Sequence, residues 1–366
     1  MNPLRKVIFL FVLVGVFLFS CSKYSFTPKY SSPPTGYYDK VTMGTVYNGN
    51  LIVAGRFTTL FNGSNNIAQW NGKSWSGLGS GLSCDFQGQS IWIKSMAVYN
   101  GNLIVGGIIS SAGGQAVNDI AQWNGTSWSP MANGQYGNGV NALVVYNGNL
   151  IAGGDFSTSG SFGIAQWNGT SWATMGTNLT GIIDALVVYK GNLIAAGEDY
   201  GYGSAKHPAQ WNGASWTAVG GGCNGDINSL LIYNGNLIVQ GSFDSAGGVP
   251  CSGIAQWNGT AWSALSSGGM YTSVMYNGIY YRNFNFFSDS VVNGWNPSNG
   301  ANSVIGTCLN TKDTVKNPNY GGVQAEAMAL CVYDSTLVIG GWFNSVNGVN
   351  TNDNIAQWNG TTWSPL

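Results

Sequence analysis

The stretch Ala142–Met175, ALVVYNGNLIAGGDFSTSGSFGIAQWNGTSWATM, decides the fold. Alternating apolar runs flank Asn147-Gly148 and, twenty-one residues on, Asn168-Gly169. Asn-Gly accepts positive φ at both central residues of a turn. It therefore favours the type I′ hairpin, whose twist matches two paired strands. Two such hairpins in a row make four antiparallel strands, here called A, B, C and D.

The unit recurs. The turn between A and B follows Tyr47, Tyr99, Tyr146, Tyr189, Tyr233, Tyr276 and Tyr333, at spacings of 52, 47, 43, 44, 43 and 57 residues. Strand C ends in Gln-Trp at Trp70, Trp123, Trp167, Trp211, Trp257 and Trp358. The sixth copy is degenerate, keeping Tyr276-Asn277-Gly278 and placing Trp295 in an altered context. Seven units of four strands, each some 40–50 residues long, predict an all-β chain folded as a seven-bladed β-propeller over residues 39–366. Blades sandwiched on both sides need strands that are apolar throughout, as Val144-Val145 and Leu150-Ile151-Ala152 are. Gly-Gly at 106–107, 153–154 and 340–341 would let a neighbouring blade approach strand B.

The run Leu150-Ile151-Ala152-Gly153-Gly154, then Ile164-Ala165-Gln166-Trp167, then Trp172, resembles the kelch repeat. The tighter form with Ala-Gln-Trp-Asn-Gly is similar to repeats of bacterial surface proteins and of fungal cortical polarity markers. It has Trp-Asn where kelch has Tyr-Asp. The resemblance covers residues 39–366 and implies a propeller. It implies no particular activity, because propellers host unrelated ones.

Ahead of the repeats, residues 1–20 read as an export signal, with Arg5 and Lys6 before the apolar run Val7–Phe19. Leu18-Phe19-Ser20-Cys21 resembles the bacterial lipobox, which implies lipidation of Cys21 and a membrane anchor. Residues 21–38, rich in Ser and Pro, form a tether. The expected location is the bacterial cell envelope, lipid-anchored, with the outer membrane as the membrane.

Composition narrows the function. Charged residues are 7% of 366 and the formal net charge is −1, which provides no footprint for nucleic acid and no polybasic membrane patch. There is one histidine, His207, so the paired histidines of a copper oxidase on a kelch-like propeller are missing. No motif calls for a cofactor or a metal. The recurrent Trp residues read as packing between blades, whereas Trp92, Trp295 and Trp342 occur once each and are better placed to meet a ligand. The C-strand Gln residues, Gln69 to Gln357, are expected to be buried and bonded to main chain.

Strand direction puts the A–B and C–D turns on one end and the longer B–C and D–A connections on the other. Variable connections on a rigid scaffold make the second end the expected binding surface. Candidate contacts there are Phe86, Tyr136, Tyr200, Tyr202, His207 and Tyr320. Cys223 and Cys251 both fall on that end and are expected to form a disulfide in an exported chain. The leading function is non-catalytic recognition of, or adhesion to, an envelope glycan or protein. Two alternatives stand beside it: a carbohydrate-active enzyme using Glu198, Asp199 and Asp226, and a purely structural envelope lipoprotein.

Overall fold

The computed structural model describes residues 39–366, apart from 59, 85–90, 132–135, 159–160, 177–178, 180, 199–206, 266–272, 277–278, 286–289, 297–300, 310–325 and 352–353. The described chain is nearly all β, and its only helical turns are two short 3₁₀ segments.

The repeated unit is an antiparallel four-stranded sheet in the order A-B-C-D. The first sheet joins Lys40–Tyr47, Asn50–Arg56, Ile67–Trp70 and Trp75–Gly77. The second joins Trp92–Tyr99, Asn102–Ile108, Ile120–Trp123 and Trp128–Pro130. The third joins Tyr136–Tyr146, Asn149–Thr158, Ser161–Trp167 and Trp172–Thr174. The fourth joins Ile182–Tyr189, Asn192–Glu198, Ala209–Trp211 and Trp216–Ala218. The fifth joins Asp226–Tyr233, Asn236–Ser242, Ile254–Trp257 and Trp262–Ala264. Ser273–Tyr276, Ile279–Asn285, Ser290–Asn296 and Ala301–Leu309 open a six-stranded sheet, and Glu326–Tyr333, Thr336–Trp342, Ile355–Trp358 and Trp363–Pro365 form the last sheet.

The A–B turns follow the sequence expectation. Asn147 and Gly148 stand at φ 48° and 76°, and Asn48-Gly49 and Asn100-Gly101 repeat those angles closely. The C–D turns do not. Only the glycine is left-handed, as at Gly169 with φ 104°. Four residues separate the paired Trp167 and Trp172, too many for a two-residue turn. The Asn instead works through its side chain: Asn168 Oδ1 accepts the N–H groups of Thr170 and Ser171, both at 2.9 Å. Asn71, Asn124, Asn212, Asn258 and Asn359 do the same. This is an Asx-capped turn, so Asn-Gly serves two different geometries in one repeat.

Packing between sheets is periodic. Strand A of the second sheet lies against strand A of the first and of the third, and the third, fourth and fifth continue the series. The A strand of the first sheet also lies against strands A and B of the last. The first glycine of each Gly-Gly marks the approach. A Cβ at Gly106 would stand 2.7 Å from Val140 of the third sheet, and one at Gly153 2.5 Å from Ile183 of the fourth. At Gly340 of the last sheet it would stand 2.5 Å from Val41 of the first. Val41, Val140 and Ile183 all lie six residues before their repeat's Tyr, so the last sheet meets the first in the register that successive sheets use.

Tryptophan completes the joint. The Trp pairs at the C–D end, such as Trp211–Trp216, have centroids 5.2–5.3 Å apart and tilted planes. The D-strand indole reaches back to the sheet before it. Trp128 Nε1 donates to Leu78 O, Trp172 to Met131 O, Trp216 to Met175 O and Trp262 to Val219 O, at 2.6–3.4 Å. The packing role expected for the recurrent Trp residues therefore includes a hydrogen bond that crosses between sheets. Trp75 of the first sheet is buried and its Nε1 has no partner among the described residues.

The B–C connections are more ordered than open loops. Ser111–Ala112 pairs with Gln115–Ala116 and also with Leu82–Ser83, the segment after strand D of the first sheet. The hairpin Ser345–Val346/Val349–Asn350 adds to the strand Ala301–Leu309 in the same way, and Cys223 bridges Ala246.

The Gln expectation needs correcting on both counts. Gln69, Gln122, Gln256 and Gln357 are half-buried. Their partners are side chains: Asn50, Asn102 and Asn236 Nδ2 and Thr336 Oγ1 approach the respective Gln Oε1 at 3.4–3.5 Å.

Candidate functional site

A repeated irregularity in strand A builds a polar site. Pairing with strand B slips by one residue between Val41 and Met43, Ile93 and Ser95, Val140 and Ala142, Ile183 and Ala185, Ile227 and Ser229, and Ala327 and Ala329. The residue taken into the slip is Thr42, Lys94, Asn141, Asp184, Asn228 or Met328. Each lies five residues before its repeat's Tyr, towards the end that carries the B–C and D–A connections. A bulge takes its extra residue out of the alternating pattern and re-aims the side chain. Because neighbouring A strands lie side by side, the re-aimed side chains meet.

In the middle of the series they form a line. Lys94 Nζ donates to Asn141 Oδ1 at 2.7 Å, and Asn141 Nδ2 donates to Asp184 Oδ1 at 2.8 Å. One amide thus bridges an ammonium and a carboxylate on three successive sheets. Its oxygen faces the cation and its nitrogen the anion, the only orientation that satisfies both ends. Asn141 and Asp184 are 5% and 7% exposed. Next to the line, Thr42 Oγ1 lies 3.4 Å from both Ile93 O and Ala54 O, either of which can accept its one proton.

Two residues of the second sheet flank Lys94. Trp92, the first residue of strand A, is 37% exposed, and Lys94 Nζ lies 5.7 Å from the centre of its ring. Asp119 stands just before strand C in the left-handed conformation, φ 61°, and is 5% exposed. Its Oδ1 accepts Ile109 N–H at 3.3 Å. Burial pushes its carboxyl up to about 6, a rise only partly offset by that bond and by the charge of Lys94. The corresponding residues of the first and last sheets are amides, Asn66 and Asn354, which accept the N–H groups of Phe57 and Phe343 in the same manner.

The site thus presents one aromatic face, an ammonium, an amide and carboxylates whose charges largely compensate. It suits a polar ligand that exchanges hydrogen bonds. Among the described residues, no group of three or more His, Cys, Asp and Glu could hold a metal ion.

The residues singled out from the sequence fall differently. Cys21, Phe86, Tyr200, Tyr202 and Tyr320 lie outside the described residues, as does Asp199. Tyr136 opens strand A of the third sheet, its Cα paired with that of Ser157. His207 is 2% exposed, and its carbonyl accepts Cys223 N–H at 2.8 Å, which roots it beneath the connections rather than on them. Glu198 and Asp226 sit at the ends of strands in the fourth and fifth sheets, paired with Ile182 and Ser242.

The Cys223–Cys251 disulfide is not formed, and both thiols are free. Cys223 bridges Ala246 on one side, while Val249 and Pro250 pair with Ala246 and Ser245 on the other. A strand therefore runs between the two cysteines. Two strand spacings, about 9.5 Å, exceed the reach of a disulfide. Burial, and then the neighbouring Cys251, push the Cys223 thiol up to about 12. Cys251 instead lines an open cleft of about 480 Å³ with Asn224, Phe243, Asp244 and Ser252.

The polar line was readable in principle. A polar residue stands five before the Tyr inside a strand that is mostly apolar, in WIKSMAVY, GVNALVVY and IIDALVVY alike. The apolar pattern of the inner strands masks that position, because it reads as packing alone.

No protein-family model matches the chain, and no curated protein does either. Solved structures do. Dihydro-heme d1 dehydrogenase NirN in complex with DHE is 9% identical with a TM-score of 0.39, over 70% of this chain and 54% of that one. The tricorn protease is 11% identical with a TM-score of 0.40, over 83% of this chain and 29% of that one. A Bacteroides fragilis protein described as a 6-phosphogluconolactonase is 11% identical with a TM-score of 0.34, over 84% of this chain and 89% of that one. The chain thus spans about half or less of the length of the first two.

Proposed function

We propose that the chain is a seven-bladed, kelch-like propeller, anchored in the bacterial envelope through a lipidated Cys21, that recognises an envelope glycan or protein without catalysis. The common register of Gly106–Val140, Gly153–Ile183 and Gly340–Val41 supports the wheel, because a linear stack gives its last sheet no reason to meet its first. The lipobox resemblance supports the anchor.

The observation that carries the recognition reading is the line Lys94–Asn141–Asp184. Placing a cation and an anion in strands that otherwise bury apolar residues costs desolvation that packing alone does not require. All three lie towards the end that carries the longer connections, where a ligand would meet them. The ligand binds at that end, around the axis of the wheel.

The test is capture. The full chain, solubilised in detergent, is presented to a glycan array and to solubilised envelope proteins. It is compared with Lys94→Met at the polar line and with Lys73→Ala in an exposed C–D turn at the opposite end. The reading expects a bound species that Lys94→Met loses and Lys73→Ala keeps. Loss in Lys73→Ala alone would move the binding surface to the other end and refute it.

A further inference from the structure

We infer that the long-connection end of strand A in the second sheet is a saccharide subsite, where a neutral pyranose ring stacks on Trp92 and its hydroxyls bond Lys94, the accessible end of the polar line. The inference rests on the recognition reading above and narrows it to one ligand class at one place.

Trp92 is out of keeping with its repeat. The first residue of strand A is Lys40, Ile182, Asp226 or Glu326 in the first, fourth, fifth and last sheets. The recurrent Trp residues stand at the C–D end, most of them buried in pairs. An indole at the start of strand A, 37% exposed, adds little to the core. It offers a flat apolar face beside hydrogen-bonding groups, which is what the apolar face of a sugar ring and its equatorial hydroxyls require together. The ammonium of Lys94 holds the ring from one side by a cation–π contact, so the ring does not have to be ordered by the ligand.

Charge selects the class. Lys94 is joined through Asn141 to Asp184, and Asp119 is buried beside them. A carboxylated or phosphorylated ligand at Lys94 would sit in the opposing field of the buried Asp184 and Asp119. A cationic one would meet Lys94 itself. A neutral polyol can accept from the ammonium and donate to an oxygen without upsetting either charge. Asp119 fits the same picture. Asn66 and Asn354 serve the backbone at this position in other repeats, so the fold does not need a carboxyl there. Next to Lys94 a carboxyl does something an amide cannot: it sets the field in which the ammonium works.

The experiment uses the full chain and an array of neutral, uronate-bearing and amino-bearing oligosaccharides, followed by calorimetric titration of the best neutral ligand. The variants are Trp92→Ala, Trp92→Tyr and Lys94→Met, each checked for an unchanged melting curve. The expected result is a neutral ligand whose affinity is unaffected by added salt. It weakens at least about tenfold in Trp92→Ala, recovers partly in Trp92→Tyr, and weakens in Lys94→Met. If Trp92→Ala fails to fold, Trp92→Tyr and quenching of the native indole by the sugar carry the test. Binding of only charged saccharides, or neutral binding that Trp92→Ala leaves intact, overturns the inference. So does an array without a neutral hit. If an envelope protein is still captured and lost in Lys94→Met, the recognition reading survives that failure; if nothing is captured, both fall.

Discussion

Asp119→Asn isolates one buried carboxyl whose counterparts in the first and last sheets are amides, and it should make the protein more stable. Asp119 is 5% exposed and its carboxyl is pushed up to about 6 from 3.8. A carboxyl with a raised folded-state value binds more protons folded than unfolded between those two values. Its contribution is therefore most favourable below about pH 4, declines as pH rises through about 6, and stays unfavourable above. Two units at about 1.4 kcal/mol each give about 3 kcal/mol at neutral pH, and partial access of water reduces this to about 1–2 kcal/mol. Asn retains the acceptor for Ile109 N–H and tolerates the left-handed backbone, as Asn66 and Asn354 show at φ 63° and 57°. The assay is urea unfolding of wild type and variant at a series of pH values from 4 to 8, followed by tryptophan fluorescence. The variant should be about 1–2 kcal/mol more stable at pH 7.5, and the difference should vanish towards pH 4. A variant that is less stable at pH 7.5, or a difference that does not change with pH, would refute the account of burial as the cause.

Two further outcomes concern the joints between sheets and one a C–D turn. Trp216→Phe removes the 2.6 Å bond to Met175 O, whereas Trp75→Phe removes a buried N–H that has no partner, so the first should cost about 2–4 kcal/mol more than the second in urea unfolding. Gly340→Ala puts a methyl 2.5 Å from Val41 Cγ1 and should lower stability by about 1–3 kcal/mol by calorimetry, as should Gly153→Ala against Ile183; an effect at Gly153 without one at Gly340 would mean that the last sheet does not press on the first. Asn168→Ala loses an acceptor for two turn N–H groups and should cost about 1 kcal/mol, while Asn168→Asp, which keeps the acceptor, should cost less.

Much of the architecture was legible because it is local. Asn147-Gly148 dictates its own turn, and a glycine where a neighbour presses in is visible as Gly153-Gly154. The same dipeptide misled at Asn168-Gly169, where sequence cannot tell a backbone turn from one capped by its own side chain. The amides of Gln69 and Gln122 found Asn50 and Asn102 across the sheet, a pairing that depends on register rather than on composition. The bulges at Lys94, Asn141 and Asp184 were hidden for a deeper reason. A one-residue slip leaves no mark on the apolar pattern of a strand buried on both faces, so the polar residues looked like isolated exceptions. Only the stacking of three A strands shows them to be one hydrogen-bonded line. The Cys223–Cys251 pairing failed because nearness in the connections ignored the strand Ser245–Ala246 laid between them.

The indole bonds of Trp128, Trp172, Trp216 and Trp262 all point the same way, from a later sheet to an earlier one. A chain leaving the ribosome therefore lays each new sheet onto an acceptor that already exists, and assembly can keep pace with synthesis. Trp75 alone among the D-strand indoles of the first five sheets makes no such bond among the described residues, so the first sheet joins the series without a latch of its own.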